Sequence, residues 1–406
     1  MPVTSAYDLA LPALETAGLE RSETLCAIRL ARAEHWLART PIGFMLTDYR
    51  DAVAVLRDRR FHSALSLLPE MAGLEPDQYL QNRRRSILAM EGDEHARLRR
   101  LVAPAFTPTA ADRLRPFMRE VVSGLVDAVA DRGRCELVAD VCEPYPIPII
   151  CELLGAPKED WRLFSGWATD IFRIFNQNLV DDLPAIERAS AELESYVLSM
   201  VEERRDHPSD DLLGSLIAIE ESGDRLSSDE LVMLAEAVLM AGTDTTRNQL
   251  ACSVALLSEH PDQWALLAER PELAPRAVEE TMRYLGAVRG TVRVASVDIE
   301  YRDVLFPAGT IVSVALAGAN MDPDVFASPE TFDITSERDA VQMTFGSGIH
   351  FCMGAALARA ELQEALPLLA RRMPDLGLDG PVEWKPSTFG IWGPARLPLR
   401  FASPAS

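Results

Sequence analysis

Residues 345–354, which read Phe-Gly-Ser-Gly-Ile-His-Phe-Cys-Met-Gly, place one cysteine in a setting that suits metal chemistry. The three glycines let the backbone turn sharply and approach a bulky group closely, because glycine carries no Cβ. Residues 355–362, Ala-Ala-Leu-Ala-Arg-Ala-Glu-Leu, are mostly strong helix formers. Cys352 is therefore predicted at a helix N-terminus, where the helix dipole favours a thiolate that can ligate a metal. The alternative is a buried, inert cysteine in a glycine-rich turn.

A second group of chemically active residues lies in the middle of a predicted long helix. Residues 241–246 read Ala-Gly-Thr-Asp-Thr-Thr, and β-branched hydroxyls, an acid and a glycine are all unfavourable in a helix interior. Hydroxyls that bond back to backbone carbonyls beside Gly242 would open a groove for a diatomic ligand and a water. A capped surface turn is the alternative, but the apolar periodicity on both sides of the motif disfavours it.

The helix that must position this motif has clear boundaries in the sequence. Residues 227–230, Ser-Ser-Asp-Glu, form a capping box, with Leu226 and Leu231 as its hydrophobic staple. The apolar pattern then runs to about Leu257, and Pro261 ends it. A helix of about 27 residues would span about 40 Å, so it must cross the core.

Two further pairs place polar groups on single helix faces. His95 and Arg99 are four residues apart, so they share one face and suit a pair of carboxylates. Glu280 and Arg283 form an acid and base pair at i and i+3, which is common and uninformative when taken alone. Both pairs become informative when their order in the chain is compared with that of the two motifs above.

Together these segments resemble the motifs of the cytochrome P-450 family, the haem-thiolate monooxygenases. The Cys-ligand loop, the oxygen-activating motif and the Glu-x-x-Arg pair occur in the expected order and at the expected separations. The resemblance implies a mainly α fold with a small β-rich region, built as one cofactor-centred domain over residues 1–406. The β-rich parts are expected at about 290–320 and 382–401. Haem b, which is iron protoporphyrin IX, would lie between the long central helix and the Cys-ligand loop.

The resemblance also implies a role for each matching residue. Cys352 would ligate the iron, and its thiolate would push electron density toward bound oxygen. Asp244 and Thr245 would be the catalytic pair that brings protons to that oxygen. The residues expected to contact the haem, its propionates or the oxygen groove are His95, Arg99, Ala241, Gly242, Arg293, Phe345, Gly348, His350 and Gly354.

The implied reaction inserts one atom of O2 into a C–H bond of a small, largely apolar organic substrate. Arg289, four residues before Arg293, is a hypothetical partner for a substrate carboxylate, and the alternatives are solvent or a propionate. Residues 61–86 are Leu-rich and punctuated by proline, so we interpret them as a mobile connection over the pocket. The residues expected to line the pocket are Val238, Val288, Arg289, Phe389, Ile391 and Trp392. For the aromatic residues among them, packing in the core is the default interpretation.

Composition limits the partners and the location. The formal net charge of −22 argues against nucleic acid or an anionic membrane as a general partner. Six cysteines without a CxxC pair, no signal peptide and no apolar run of about 18 residues lead us to expect a cytoplasmic protein. Without a Gly-x-Gly-x-x-Gly sequence for a second cofactor, electrons are expected from a ferredoxin and its ferredoxin reductase. Arg97 and Arg100 form either a local basic patch for that donor or an ordinary solvated face.

Two other functions are compatible with a haem-thiolate motif. A peroxide-driven enzyme is disfavoured by the intact Asp244 and Thr245, because a peroxide route does not need a proton relay. A haem-based binding or sensing protein without turnover is the second alternative, and it would form no product when electrons are supplied.

The sequence departs from the family pattern at two positions. Thr331 stands before Phe332 where family members commonly carry an arginine that completes a network with Glu280 and Arg283, so this network must be closed differently. Met321 likewise occupies a position where a basic residue is frequent.

Overall fold

Helices account for most of the secondary structure. The computed structural model describes residues 3–67, 86–175, 179–223, 226–386 and 390–402. None of the helices in these ranges combines the length and the apolar composition that crossing a bilayer requires. The α-helices are α1 (Arg21–Glu34), α2 (Tyr49–Arg57), α3 (Gly92–Val102), α4 (Pro108–Ala130), α5 (Pro146–Leu154), α6 (Trp161–Ile171), α7 (Leu179–Asp206), α8 (Leu212–Glu221), α9 (Ser228–Ser258), α10 (Pro261–Glu269), α11 (Ala274–Tyr284), α12 (Leu316–Ala319) and α13 (Ala355–Arg372).

Short strands form several small sheets. The strands are β1 (Thr4–Ser5), β2 (Leu37–Thr40), β3 (Gly43–Leu46), β4 (Phe61–Ser63), β5 (Arg134–Glu136), β6 (Thr291–Ala295), β7 (Ile299–Tyr301), β8 (Val304–Phe306), β9 (Ile311–Val314), β10 (Gly377–Leu378), β11 (Glu383–Trp384), β12 (Pro394–Arg396) and β13 (Pro398–Arg400). The largest sheet has the order β2-β3-β9-β6-β4, and the smaller ones have the orders β1-β8-β7, β10-β13-β5 and β11-β12. The predicted fold class, mainly helical with a small β-rich part, is confirmed.

Helix α9 lies at the centre of the structure. The Ser227 hydroxyl accepts from the Glu230 amide (3.3 Å), and the Glu230 carboxylate accepts from the Ser227 amide (2.9 Å), so the predicted capping box is present. The helix has 31 residues, which correspond to about 46 Å. Every residue from Asn248 to Leu257 is buried, so protein surrounds this part of the helix on all sides.

Two elements position the groups that are expected to hold a cofactor. Helix α13 follows the cysteine loop directly and packs against α4, α9 and α10. In the five-stranded sheet, β6 lies between β4 and β9, where Arg293 is paired with Ser63 on one side and Val312 on the other. The strand register therefore fixes Arg293 in the interior of this sheet.

Candidate active site

The loop before α13 is closed by a backbone hydrogen bond and by close packing. The amide of Cys352 donates to the carbonyl oxygen of Phe345 (3.0 Å). Gly348 has a φ of +74°, which favours glycine, and a Cβ at this position would lie 1.9 Å from the carbonyl oxygen of Leu56. The loop therefore rests against α2, and Gly348 is required both by conformation and by packing.

The sulfur of Cys352 lies in a sheltered position beside cations. Burial raises the pKa of the Cys352 thiol, while the amide of Gly354 and the charges of Arg99 and Arg359 act to lower it. Phe345 is 9% exposed, and the Arg359 guanidinium lies 4.5 Å from the centre of its ring. Cys352 lies just before the α13 N-terminus, but burial outweighs the effects that favour the thiolate, and a bound metal ion would supply the remaining stabilisation.

Two buried basic side chains, His95 and Arg293, form no ion pair with a carboxylate of the described residues. His95 is 2% exposed, and its Nε2 has no hydrogen-bond partner among the described residues. Arg293 is 5% exposed and donates to Thr291 Oγ1 and to the carbonyl oxygen of Val292 (both 3.0 Å). Burial lowers the pKa of Arg293 to about 10, although Glu91 acts in the opposite direction. Buried basic groups are costly unless paired, so this set fits the two propionates of haem b.

Helix α3 is linked to the cysteine loop by two side chains. Arg99 donates to the carbonyl oxygen of Phe351 (2.6 Å), and burial lowers the pKa of Arg99. The ring of His350 lies 4.6 Å from that of His95, and its Nε2 is 3.0 Å from Glu91 Oε1. Burial acts to raise the pKa of Glu91, but its hydrogen bonds outweigh this effect and the pKa is lowered. The predicted cluster is thus assembled, and Glu91 is a member that the sequence did not identify.

The middle of α9 presents part of the predicted oxygen motif to an accessible surface. Ala241 is exposed although most of α9 is buried, and Thr245 Oγ1 donates to the Ala241 carbonyl oxygen (2.9 Å). A Cβ on Gly242 would lie 3.1 Å from the side chain of Ile150. Gly242 therefore lets α9 pack closely on α5, and it does not open the helix, which is continuous here.

Asp244 has charged neighbours that the sequence did not reveal as a group. It is 4% exposed and forms an ion pair with Arg247, three residues later in α9. The Nζ atom of Lys385 lies 3.9 Å from the same oxygen, Oδ1. The i, i+3 spacing of Asp244 and Arg247 could have predicted this ion pair from the sequence. Lys385 is 141 residues away from Asp244 in the chain, so no sequence pattern predicts their contact.

Arg289 and Trp392 lie against each other. Trp392 stacks on Trp384 with ring centres 4.4 Å apart and planes 7° apart, and the Arg289 guanidinium lies 5.0 Å from the Trp392 ring centre. Burial and Arg21 lower the pKa of Arg289, while Glu20 acts to raise it. This setting matches the default of core packing for Trp392, and it gives no support to a substrate carboxylate at Arg289.

The other expected pocket residues are described only in part. Val238 is buried on α9, and Val288 forms an isolated antiparallel bridge with Ile391. Phe389 and most of the predicted connection, residues 68–85, lie outside the described residues.

Arg338 closes the network around Glu280. Arg283 donates twice to the Glu280 carboxylate (both 2.8 Å), and Arg338 donates twice to the same carboxylate (both 2.7 Å). Both arginines also donate to the carbonyl oxygen of Thr331, at 3.0 and 3.2 Å. Burial acts to raise the pKa of Glu280, but these hydrogen bonds outweigh it and the pKa is lowered. Position 331 therefore contributes a backbone oxygen, and the expected second arginine comes from seven residues later.

Met321 contacts the same network. Its sulfur lies 3.7 Å from Nη1 of Arg283, which also donates to the carbonyl oxygens of Asn320 (3.2 Å) and Pro329 (2.7 Å). Backbone oxygens thus satisfy the guanidinium where a basic side chain at position 321 would repel it.

Comparison with known proteins identifies the class of this fold and site. The family model described as Cytochrome P450 matches residues 159–372. The chain is 36% identical to Luteothin monooxygenase of Streptomyces thioluteus over 375 residues, covering 92% of each protein. It is 38% identical to Cytochrome P450 monooxygenase PikC of Streptomyces venezuelae, covering 89% of this chain and 87% of that protein. The solved structure of CalO2 superposes with a TM-score of 0.90 at 28% identity, covering 97% of this chain and all of that one.

The chain belongs to the cytochrome P450 family. It is an oxidoreductase whose family binds haem b and uses O2 and an organic substrate.

Proposed function

We propose that this chain is a haem-dependent monooxygenase that inserts one atom of O2 into a C–H bond of a small, largely apolar organic compound. The observation that supports this most is the juxtaposition of the sheltered Cys352 with the basic groups His95, Arg99 and Arg293. A thiolate ligand and a set of hydrogen-bond donors and cations are what a haem with two propionates needs.

Different residues of the chain would bind the cofactor and deliver protons to it. When bound, haem b supplies the centre at which O2 is activated. Cys352 would hold its iron, and the three basic groups would hold its propionates. Asp244 and Thr245 would deliver the two protons that accompany two electrons when one oxygen atom of O2 is released as water. The hydroxyl of Thr245 is suited to this role because it lies beside the accessible surface at Ala241.

The apolar character of the substrate is supported by three of the pocket residues expected from the family resemblance. Val238, Val288 and Ile391 offer only apolar atoms to a ligand. Relatives are named Mycinamicin IV hydroxylase/epoxidase of Micromonospora griseorubida and 6-deoxyerythronolide B hydroxylase of Saccharopolyspora erythraea, at 36% and 35% identity. These names support hydroxylation of an organic compound as the reaction of this chain.

A ferredoxin with its ferredoxin reductase is the proposed source of electrons. Arg100 on α3 is exposed and available to an acidic donor, whereas Arg97 is engaged with Glu230. Of the two arginines expected to form a basic patch, Arg100 is therefore the one proposed to contact the donor. The cytoplasmic location stays a prediction.

The spectrum of the reduced protein with carbon monoxide tests the proposal. We expect the absorption typical of thiolate ligation, and we expect Cys352→Ala to lose it. Cys142→Ala is the matched control, because Cys142 is a buried cysteine in a different element, Val138–Cys142. A Cys352→Ala protein with unaltered haem absorption and full oxygenase activity would contradict the proposal.

Reconstitution tests the electron source separately. Product formation should require ferredoxin, reductase and reduced nicotinamide together. Turnover by the purified chain with reduced nicotinamide alone would show that no separate donor is needed.

A further inference from the structure

Two cationic side chains lie beside the buried carboxylate of Asp244: Arg247 from the same helix, α9, and Lys385 from the C-terminal part of the chain. The Asp244 side chain is 6% exposed, and Oδ1 forms an ion pair with Arg247 but has no hydrogen bond of good geometry among the described residues. Lys385 Nζ lies 3.9 Å from that oxygen. Arg247 also lies 3.8 Å from Glu143 and donates to Thr169 Oγ1 (3.3 Å), so its guanidinium is held on several sides.

The hairpin formed by β11 and β12 fixes the backbone of Lys385 beside α9. The Lys385 amide donates to the carbonyl oxygen of Gly393 (3.0 Å), and Trp392 Nε1 donates to the carbonyl oxygen of Lys385 (3.0 Å). A Cβ on Gly393 would lie 2.8 Å from Asn248 Oδ1, so the hairpin touches α9 one turn after Asp244. These contacts hold the backbone of Lys385 beside α9, from which its side chain extends toward Asp244.

Lys385 connects the buried carboxylate with solvent. Its side chain is 31% exposed, against 6% for Asp244 and 11% for Arg247. An arginine keeps its proton in proteins, whereas a lysine is able to release one when its surroundings favour the neutral amine. Of the two cations beside Asp244, Lys385 is thus the one with both a transferable proton and access to water.

We propose that Lys385 supplies protons from solvent to Asp244 during oxygen activation, an inference that rests on the proposed function. Lys385 acts through Asp244 and is therefore a positioning residue and proton supplier, not a catalytic residue. Its flexible side chain closes the remaining gap by rotation or through one water.

The transfer balances in protons and charge. The Lys385 ammonium gives one proton to Asp244 Oδ1, which leaves a neutral amine and a neutral carboxylic acid. The acid passes the proton on toward Thr245, and the amine takes a proton from a hydronium ion of the solvent. Both original charges are then restored, and no electron moves in this step.

The electrostatic surroundings of Lys385 are consistent with a releasable proton. Burial lowers the pKa of Lys385, Asp244 acts to raise it, and Arg247 lowers it further. The thiol of Cys252 and the carboxylate of Glu143 are the other titratable neighbours, and both act to raise it.

Two substitutions separate charge from proton transfer. Lys385→Arg keeps the positive charge but holds its proton, and Lys385→Met removes both. With ferredoxin, reductase and O2, we expect product formation to fall about tenfold in both variants. The alkaline decline in rate that Lys385 deprotonation produces in the wild type should be absent from both. Peroxide-driven turnover should stay within about twofold of wild type, because peroxide brings its own protons.

A control and a measurement without turnover complete the test. Arg396→Met on the same hairpin removes an exposed ion pair with Glu383 and should leave both reactions unchanged. A double-mutant cycle of Asp244→Asn and Lys385→Met in chemical denaturation should show a coupling of at least about twofold in the unfolding constant.

Several results would overturn the inference. One is a Lys385→Arg protein with the wild-type rate and pH profile of product formation. Another is an equal loss of the O2-driven and peroxide-driven reactions in both Lys385 variants. A third is the absence of coupling between Asp244→Asn and Lys385→Met in the double-mutant cycle. The carbon monoxide spectrum of the wild-type protein does not depend on Lys385, so failure of the proposed function is seen separately.

Discussion

Glu361 is a buried acid for which the structure predicts a measurable effect of pH on stability. It lies on α13, is 2% exposed, and its side chain is hydrogen-bonded to Thr246 of α9. Burial raises the pKa of Glu361 from 4.5 to about 8, although the hydrogen bond from Thr246 acts to lower it. The carboxyl group therefore stays neutral in the folded protein near pH 7.

The sign and size of the effect follow from proton linkage. Between about pH 4.5 and pH 8 the folded state keeps a proton at Glu361 that the unfolded state has lost, so stability falls as pH rises. At about 1.4 kcal/mol for each pH unit between these values, the ceiling is about 5 kcal/mol. Internal relaxation and water entry reduce such effects, so we expect about half of that ceiling.

Glu361→Gln removes the titration while keeping a neutral side chain of the same shape. Guanidinium denaturation of the haem-loaded protein, followed by circular dichroism, should show the variant about 2–3 kcal/mol more stable than wild type at about pH 8. At about pH 5 the two proteins should be nearly equal. Glu364→Gln, one turn later, is the matched control, because it breaks ion pairs with Arg115 (2.9 Å) and Arg119 (2.8 Å) and should destabilise at both pH values. A stability difference between Glu361→Gln and wild type that does not change with pH would refute the reasoning.

Three further substitutions test other parts of the site. Arg338→Met should lower the free energy of unfolding by about 3 kcal/mol, because the buried Glu280 loses one of its two arginine partners, and thermal unfolding measures this. Gly348→Ala should destabilise the cysteine loop by at least about 2 kcal/mol and lower the haem to protein ratio, because a Cβ would meet the Leu56 carbonyl oxygen. His95→Ala should speed haem release to a scavenger protein about tenfold, because a charge-assisted contact with a propionate is lost.

Each of these substitutions has a control of the same residue type. Arg276→Met removes an exposed ion pair with Glu337 and should change stability by less than about 1 kcal/mol. Gly124→Ala lies on α4 with no atom within 4 Å of its Cβ, and His207→Ala changes an exposed turn. Wild-type stability in Arg338→Met, full haem content in Gly348→Ala, or unchanged haem release in His95→Ala would contradict the corresponding assignment.

Features determined by local sequence could be predicted. The capping box at Ser227 and the stop at Pro261 placed the boundaries of α9 to within a few residues, because caps and prolines act over one helical turn. Cys352 at the start of α13 was predictable for the same reason. The family resemblance then supplied roles for residues whose spacing alone is ambiguous.

Features that depend on tertiary packing could not be predicted. Arg338 replaces an arginine expected beside Thr331, and only the folded chain brings it to Glu280. Lys385 reaches the site from a distant element in the same way. Glu91 lies four residues before His95, at the start of the same helix, so its spacing was a local signal that could have been used. Hydrophobic periodicity reports which face of an element is buried, but it carries no information on which distant charge will lie opposite.

The buried charges of the molecule fall into two kinds, and the difference bears on function. The Glu280 carboxylate is fully compensated within the chain by two arginines, so that network needs no ligand. Arg293 and His95 are buried, and Glu91 is the one carboxylate among the described residues that acts on both, although the chain as a whole carries 22 more acidic than basic residues. Burial lowers the pKa of His95 to about 4, so the buried positive charge resides on Arg293, and a bound anionic group would compensate it.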